Sequence, residues 1–160
     1  MDSLLIAFIA WFHILFAAIW IGSAVLFFAV LGPVVSALSP QSSSEFVTRF
    51  FPKMERFLNT VVPMLLASGA ALYVAMSWDG PFVLDWWSLA VAAGGVLGLS
   101  TYLFALVALV PAGRRLTALV QNGAPRDGLA SAQRSLGLAS TVELVLMLLT
   151  LAAMVSAGFH

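Results

Sequence analysis

The sequence predicts an all-α fold: an integral membrane four-helix bundle with its termini outside and short amphipathic helices in its cytoplasmic loops. Of the 160 residues, 62% are hydrophobic and 9% are charged, and the mean hydropathy is +1.05. These values lie far outside the usual soluble range. A spanning helix needs about 20 mostly apolar residues to cross roughly 30 Å of hydrocarbon. Four segments are long enough, so residues 1–160 are expected to form a single transmembrane domain with helices at 3–31, 56–77, 86–110 and 134–157.

The first segment is expected to be a retained helix and not a cleaved secretory signal. No basic residue precedes its apolar run, which continues to Leu31 before Gly32 and Pro33 end it. The segment is longer than a perpendicular span requires. We therefore expect it to tilt, to bend near Gly22, or to project into the cytoplasm.

The connections carry signals for short helices at the membrane surface. Ser42 and Glu45 have the spacing of a capping box, which predicts an amphipathic helix that Pro52 closes. Pro111 is expected to end the third transmembrane helix, and residues 114–120 to form another short surface helix.

The distribution of positive charge predicts the orientation. Because Lys and Arg are retained on the cytoplasmic side, both basic connections should face the cytoplasm and both termini the outside. We expect a multi-pass protein of a prokaryotic cytoplasmic (inner) membrane whose partner is the lipid bilayer and not nucleic acid. The seven basic residues are Arg49, Lys53, Arg56, Arg114, Arg115, Arg126 and Arg134.

Two ionisable residues fall within apolar segments and are the candidate functional groups. Placing such a group at the bilayer centre costs at least about 2.5–3.5 kcal/mol, so intramembrane ionisable residues are functional by default. At 1.5 Å per residue, His13 and Glu143 should both lie roughly 13–15 Å deep, and Met64 should reach a similar level. The sequence therefore predicts an imidazole, a carboxylate and a thioether facing inward at one depth.

Helical spacing groups these residues into two stripes, and each group also has a structural interpretation. His13 could be a neutral imidazole bonded to another helix, for example to Glu143. Glu143 could be protonated and bonded to a hydroxyl, or paired with Arg134, and the methionines could simply fill gaps. The stripes are Ala10, His13, Ala17, Trp20 and Ala24 on the first helix, and Ser140, Glu143, Met147, Thr150 and Met154 on the fourth.

Several short motifs resemble those of the HemJ-type protoporphyrinogen oxidases and the related copper-resistance D (CopD) membrane domains. The resemblance touches three of the four helices and implies a helical bundle in which His13 binds haem b or handles copper. The HemJ family has a lysine at the start of its third helix that is tied to activity, whereas this chain has Asp85-Trp86-Trp87-Ser88 there. The lysine that is tied to activity in HemJ is therefore missing here, and a HemJ-like oxidoreductase activity is one alternative among those considered below. The motifs are Trp11-x-His13, Trp20-x-Gly22, Pro52-Lys53-Met54-Glu55-Arg56, Pro63-Met64, Ser68-Gly69, and Arg134 with Glu143.

Three functions follow as hypotheses. The first is a haem-b redox protein with His13 as axial ligand, in which Met64, Met147 or the His13 of a second copy could take the other axial position. In that case Glu143 and Arg56 would serve proton transfer or propionate binding, with Trp20 on the face of His13, and a membrane redox partner would exchange electrons.

The second function is copper binding or transfer, because thioethers suit Cu(I), with His13, Met64, Met147 and Met154 as ligands. The third is a structural or assembly subunit whose Gly94-x-x-x-Gly98 face packs against a partner.

The chain has no cysteine, which excludes disulfides and covalently attached c-type haem.

Overall fold

A computed structural model of the chain describes residues 3–77 and 85–159, and the described residues are helical almost throughout. Four helical segments are long and apolar enough to cross a membrane: Ser3–Ala37, Gln41–Ser77, Trp86–Gln121 and Asp127–Ser156. The all-α prediction with four such segments is confirmed. The α-helices are α1 (Ser3–Leu26), α2 (Gly32–Ala37), α3 (Pro40–Ser77), α4 (Trp86–Phe104), α5 (Val110–Gln121) and α6 (Arg126–Ser156).

Two prolines that were expected to end transmembrane helices do not end them. A π-helical turn, Phe27–Leu31, precedes Pro33, and a second, Ala105–Leu109, precedes Pro111. A proline inside a helix lacks an N–H, and its ring crowds the carbonyl four residues earlier. The N–H of Gly32 donates to Phe27 O, and the N–H of Val110 donates to Ala105 O. In each helix the backbone hydrogen bonds therefore shift from four-residue to five-residue spacing just before the proline. The helices therefore continue through the prolines, and the predicted ends at 31 and 110 are wrong.

The separate amphipathic helix predicted before Pro52 is also corrected, because α3 runs without interruption from Pro40 to Ser77 through Pro52. Its cap is Ser39, whose Oγ accepts the N–H of Ser42 at 3.2 Å. Pro40 takes the first helical position, where a missing N–H costs nothing. The capping box expected at Ser42 and Glu45 is absent.

The helices pack as two pairs, α1 along α3 and α4 along α6, and α5 packs against both α3 and α6. Near the middle, one buried cluster joins three of the long helices, and a second cluster lies around α5. The first consists of Trp20, Val61, Val62, Leu65 and Met147, and the second of Val47, Leu116, Ala132 and Leu136.

Large apolar side chains also cover the outside of the molecule. Ile14 and Val107, for example, are 66% and 74% exposed. Monomeric soluble proteins do not expose such continuous apolar surface. This exterior suits hydrocarbon, in agreement with the length and composition of the four segments.

Glycines on α4 form an internal packing face and not a free one. Gly94 and Gly98 are buried. A Cβ at Gly94 would lie 2.8 Å from Met154 Cε, and one at Gly98 would lie 3.5 Å from Thr150 Cγ2. The Gly94-x-x-x-Gly98 face is therefore covered by α6 of the same chain, which corrects the expectation that it meets a partner.

The two ends of the bundle differ in charge, because all seven Lys and Arg residues lie toward the end that carries the α2–α3 and α5–α6 connections. We call this end the basic end. There Arg114 Nε donates to Glu55 Oε2 at 3.0 Å, and Arg114 Nη2 pairs with Glu55 Oε1, so the guanidinium grips the carboxylate with two donors. This pair holds α5 against α3.

At the opposite end, Asp85 caps α4, because its Oδ1 accepts the Ser88 N–H at 2.8 Å and its own N–H donates to Ser88 Oγ. The backbone and side-chain hydrogen bonds from Ser88 lower the pKa of Asp85 from its usual value of 3.8. Trp86 Nε1 donates to Ser156 O at 3.1 Å and ties the start of α4 to the end of α6.

Candidate functional site

His13 lies in the middle of α1, partly buried, with its ring against α3. Its Nδ1 is 3.2 Å from the carbonyl oxygen of Leu65. A carbonyl can only accept, so the proton lies on Nδ1 and is donated to Leu65 O. In a neutral imidazole this arrangement leaves the lone pair on Nε2.

Ser68 completes the polar contacts of the imidazole. Its hydroxyl donates to the same Leu65 oxygen at 2.9 Å, and its Oγ lies 3.4 Å from His13 Nδ1. A carbonyl oxygen has two lone pairs and can take more than one donor. The Leu65 carbonyl oxygen therefore accepts hydrogen bonds from both the ring N–H and the Ser68 hydroxyl. The bond from the ring N–H fixes the orientation of the imidazole.

Gly69 makes room for the ring. A Cβ at this position would lie 2.8 Å from His13 Cε1 and 3.1 Å from Nδ1, closer than real side chains approach. An aromatic ring held by a hydrogen bond cannot move away cheaply. The glycine is therefore required by the imidazole, and the Ser68-Gly69 pair singled out in the sequence lies directly on His13.

The second ring nitrogen has no such partner. In residues 3–77 and 85–159, no side chain or carbonyl is hydrogen-bonded to His13 Nε2. Metal-binding histidines typically donate one ring N–H to a carbonyl or carboxylate, which orients the ring and raises the basicity of the other nitrogen. His13 has this arrangement.

Glu143 lies in a different environment. It is only 5% exposed, and within the described part of the chain its carboxylate has no hydrogen bond or ion pair. It lines a cavity of about 210 Å³ together with Trp20 and Met147, which are also buried. His13 is not among the residues that line this cavity.

The structure therefore divides the residues predicted to converge. The imidazole of His13 bonds to α3, and no bond between His13 and Glu143 is present, contrary to one interpretation of the sequence. Met64 is 52% exposed on the outside, so the expectation that it faces inward is wrong. Met154 packs on Gly94, away from the cavity lining that includes Met147.

Three further polar residues, Arg56, Asn59 and Tyr102, lie toward the basic end. Arg56 is exposed on α3. Tyr102 Oη donates to Asn59 Oδ1 at 3.5 Å, a long contact between α4 and α3. These groups lie outside the His13 contact.

Comparisons with family models, curated proteins and solved structures give no match. The resemblance to HemJ-type and CopD proteins therefore rests on the short motifs of the sequence. In the structure, Ser68 and Gly69 both lie against the imidazole of His13.

Sequence reasoning missed two features of these sites. The Leu65 carbonyl could not be identified as the partner of His13, because any backbone carbonyl at that depth could have served. The Glu55–Arg114 pair was also missed, although both residues carry charge at the edges of apolar segments, and that position is a signal for pairing across helices.

Proposed function

We propose that the protein binds haem b within the membrane through His13 Nε2 and acts in electron transfer. The observation that carries this proposal is the hydrogen bond from His13 Nδ1 to Leu65 O, because it leaves Nε2 as the lone-pair nitrogen. A haem iron takes such an imidazole as its axial ligand.

The donor set fits a haem at the surface of the α1–α3 pair. His13 lines neither the cavity beside Glu143 nor the one around Phe28 and Leu136, so a haem held by His13 would lie in neither of them. His13 is only partly buried, and Trp11 and Ile14 beside it are exposed. We therefore propose that a haem lies on this outer face and that a second copy of the chain covers it.

Met64 is the thioether that could also help to hold the haem. It lies one helical turn before Ser68 on α3 and is half exposed, whereas Met147 is buried and Met154 is packed against Gly94. The other axial position could be taken by a methionine or by His13 of the other copy. Methionine in this position would raise the reduction potential relative to a second histidine.

Arg56 is not part of this site. It precedes Leu65 by nine residues on one helix, which at 3.6 residues per turn is two and a half turns and places it on the opposite face of α3. Trp20 and Glu143 belong to the separate cavity. The proposal therefore keeps His13 and Met64 and leaves the other cofactor residues of the sequence prediction aside.

The haem would supply a one-electron couple, and the protein residues would hold and tune it. The Leu65 carbonyl orients the imidazole and increases its basicity through the Nδ1–H bond. Gly69 lets the ring lie against α3, and the apolar surroundings exclude water. We propose a membrane redox protein as the electron partner.

The proposed setting is the cytoplasmic membrane of a prokaryote. With Lys and Arg retained inside, the basic end faces the cytoplasm, and both termini and the α3–α4 connection face out. Fusion of a reporter that is active only outside the membrane to residue 80 and to residue 123 tests this orientation. Activity at 80 and none at 123 is expected, and the reverse pattern overturns it.

The haem proposal is tested by the absorption spectrum of purified protein after haem supplementation. Asn mimics the Nδ1–H of histidine but lacks a counterpart of Nε2. His13→Asn should therefore keep the bond to Leu65 and lose the Soret band. His160→Asn, a change of the other histidine, should keep it.

A wild-type protein that shows no Soret band, or a His13→Asn variant that keeps it, overturns the proposal. The hydrogen bond to Leu65 also favours a second candidate function, in which His13 only holds α1 against α3. In that case neither the wild type nor His13→Asn binds haem. The two proteins then have the same stability, because both keep the hydrogen bond to Leu65. Metal analysis of the same samples separates iron from copper, for which an imidazole such as that of His13 and a thioether such as that of Met64 are suitable ligands.

A further inference from the structure

The cavity beside Glu143 is a separate chemical environment that the haem proposal does not use. It lies between α1, α3, α5 and α6 and has a volume of about 210 Å³. Its lining is mostly apolar and reaches from Met147 in the middle of the bundle to Arg114 at the basic end. A carboxyl group buried in such a wall is either protonated or, when it is ionised, balanced by a cation.

The charges of the lining do not balance. Arg114, Glu55 and Glu143 are its charged residues, so the described wall has two carboxylates and one guanidinium. The guanidinium is already engaged by Glu55 through both of its oxygens. Glu143 is left without a cation, although only 5% of its surface is exposed.

Aromatic rings form part of the cavity lining. Trp20, Phe27, Phe50 and Phe51 line the cavity, and the rings of Phe27 and Phe50 stack with their centroids 5.8 Å apart. The face of an aromatic ring attracts cations, and tryptophan does so most strongly. The uncompensated carboxylate and these rings therefore favour the same kind of ligand.

The size and polarity of the cavity define that ligand further. A dry cavity of about 150 Å³ holds a benzene molecule, so 210 Å³ accepts one ring with a small charged group. An inorganic divalent cation prefers six or more oxygen ligands, which this apolar wall does not offer. An anion would meet the uncompensated carboxylate.

We propose that this cavity binds a small aromatic ammonium ion, with the Glu143 carboxylate as its counter-ion and the Trp20 ring against its charge. The ligand enters from the basic end, where the Arg114 side chain is 68% exposed and the Glu55 side chain is 24% exposed. Once bound, the ion is shielded from water by the phenylalanines. This site does not depend on haem binding.

The test is equilibrium dialysis of the detergent-purified full chain with radiolabelled phenyltrimethylammonium. tert-Butylbenzene, which has the same shape without the charge, is the neutral probe. Glu143→Gln removes the charge at nearly constant size, and Glu45→Gln makes the same change at an exposed residue that lies outside the cavity lining. Ala24→Leu fills the cavity from α1.

We expect saturable binding of the cation to the wild type and to Glu45→Gln, and at least about tenfold weaker binding to Glu143→Gln. The neutral probe should bind the wild type and Glu143→Gln equally. Ala24→Leu should reduce the binding of both probes. These results require a folded protein, which is checked by its unchanged elution volume and helix content.

Two results overturn the proposal. One is the absence of saturable cation binding to the wild type. The other is equal affinity of the cation for the wild type and Glu143→Gln, which would make the cavity a plain apolar pocket. If Glu143→Gln does not fold, the comparison of the two probes on the wild type decides, because equal affinities contradict a charged anchor. Neither result affects the Soret band, so this test and the haem test fail independently.

Discussion

The two helix pairs of the molecule use the same packing device with different side chains. In the α1–α3 pair, the missing Cβ of Gly69 admits the ring of His13. In the α4–α6 pair, the missing Cβ of Gly94 admits the side chain of Met154. In both pairs an added Cβ would lie 2.8 Å from the inserted group.

The difference between the inserted groups shows where function is to be sought. Met154 is flexible and fills a gap, which is the ordinary role of methionine in a core. His13 is rigid and is aimed by two hydrogen-bond contacts on α3, and its Nε2 has no partner among the described residues. Packing alone explains the second pair, whereas the first pair also leaves a ring nitrogen without a hydrogen-bond partner among the described residues.

The largest effect on stability is expected for Gly69→Ala. The added methyl group would push against a ring that is held by Leu65 and Ser68, and overpacking of this kind costs typically about 1–3 kcal/mol. The same change should weaken haem binding, because it displaces the imidazole. Unfolding by a denaturing detergent, followed by helix content, measures the first effect, and a haem titration the second. Unchanged values for both would show that the ring is not confined at this position.

A smaller loss is expected for Gly94→Ala. Its neighbour is a methionine with three rotatable bonds, which can move away from an added methyl group at lower cost than a ring. The same unfolding measurement should place this variant between Gly69→Ala and the wild type, with haem binding unchanged. A larger loss than that of Gly69→Ala would contradict the comparison of the two pairs.

A gain is expected for Gly95→Ala, which is the matched control for both variants. No atom lies within 4 Å of a Cβ built at Gly95. Alanine in a helix interior is favoured over glycine by about 0.5–1 kcal/mol. Unfolding at a higher detergent fraction than the wild type is the expected result, and a loss of stability would mean that this face is covered.

The smallest effect is expected at the cap of α4. The pKa of Asp85 is lower in the folded protein than its usual 3.8, because Ser88 donates hydrogen bonds to it. Its charged form therefore contributes stability above about pH 3.8 that is lost as the pH falls through the folded-state pKa. Asn is an equally good cap without a charge. The stability difference between the wild type and Asp85→Asn should shrink on acidification, and a difference that grows would reverse the sign of this argument.

The membrane class and the four apolar segments could be predicted because composition and length are properties of the chain itself. The ends of the helices could not, since a proline in an apolar sequence predicts a helix end, and neither Pro33 nor Pro111 ends its helix. The structure accommodates both prolines with a shift to five-residue hydrogen bonding one turn earlier, and apolar sequence around a proline does not reveal that shift.

The candidate site was predicted in its residues and not in its contacts. His13 and Glu143 stood out because ionisable groups are costly in lipid. Their partners depend on which helix faces lie together, and Leu65 is 52 residues from His13 along the chain. A backbone carbonyl has no signature in the sequence, so the partner of the imidazole could only come from the structure.

The central claim is that His13 Nε2 holds a haem iron, and chemical rescue tests it most directly. His13→Gly removes the ring that lies against Gly69, and we expect free imidazole to take its place there. After unbound haem has been removed, the variant should show no Soret band, and the band should return when haem is supplied together with imidazole. A band that is present without imidazole, or that does not return with it, would contradict the claim.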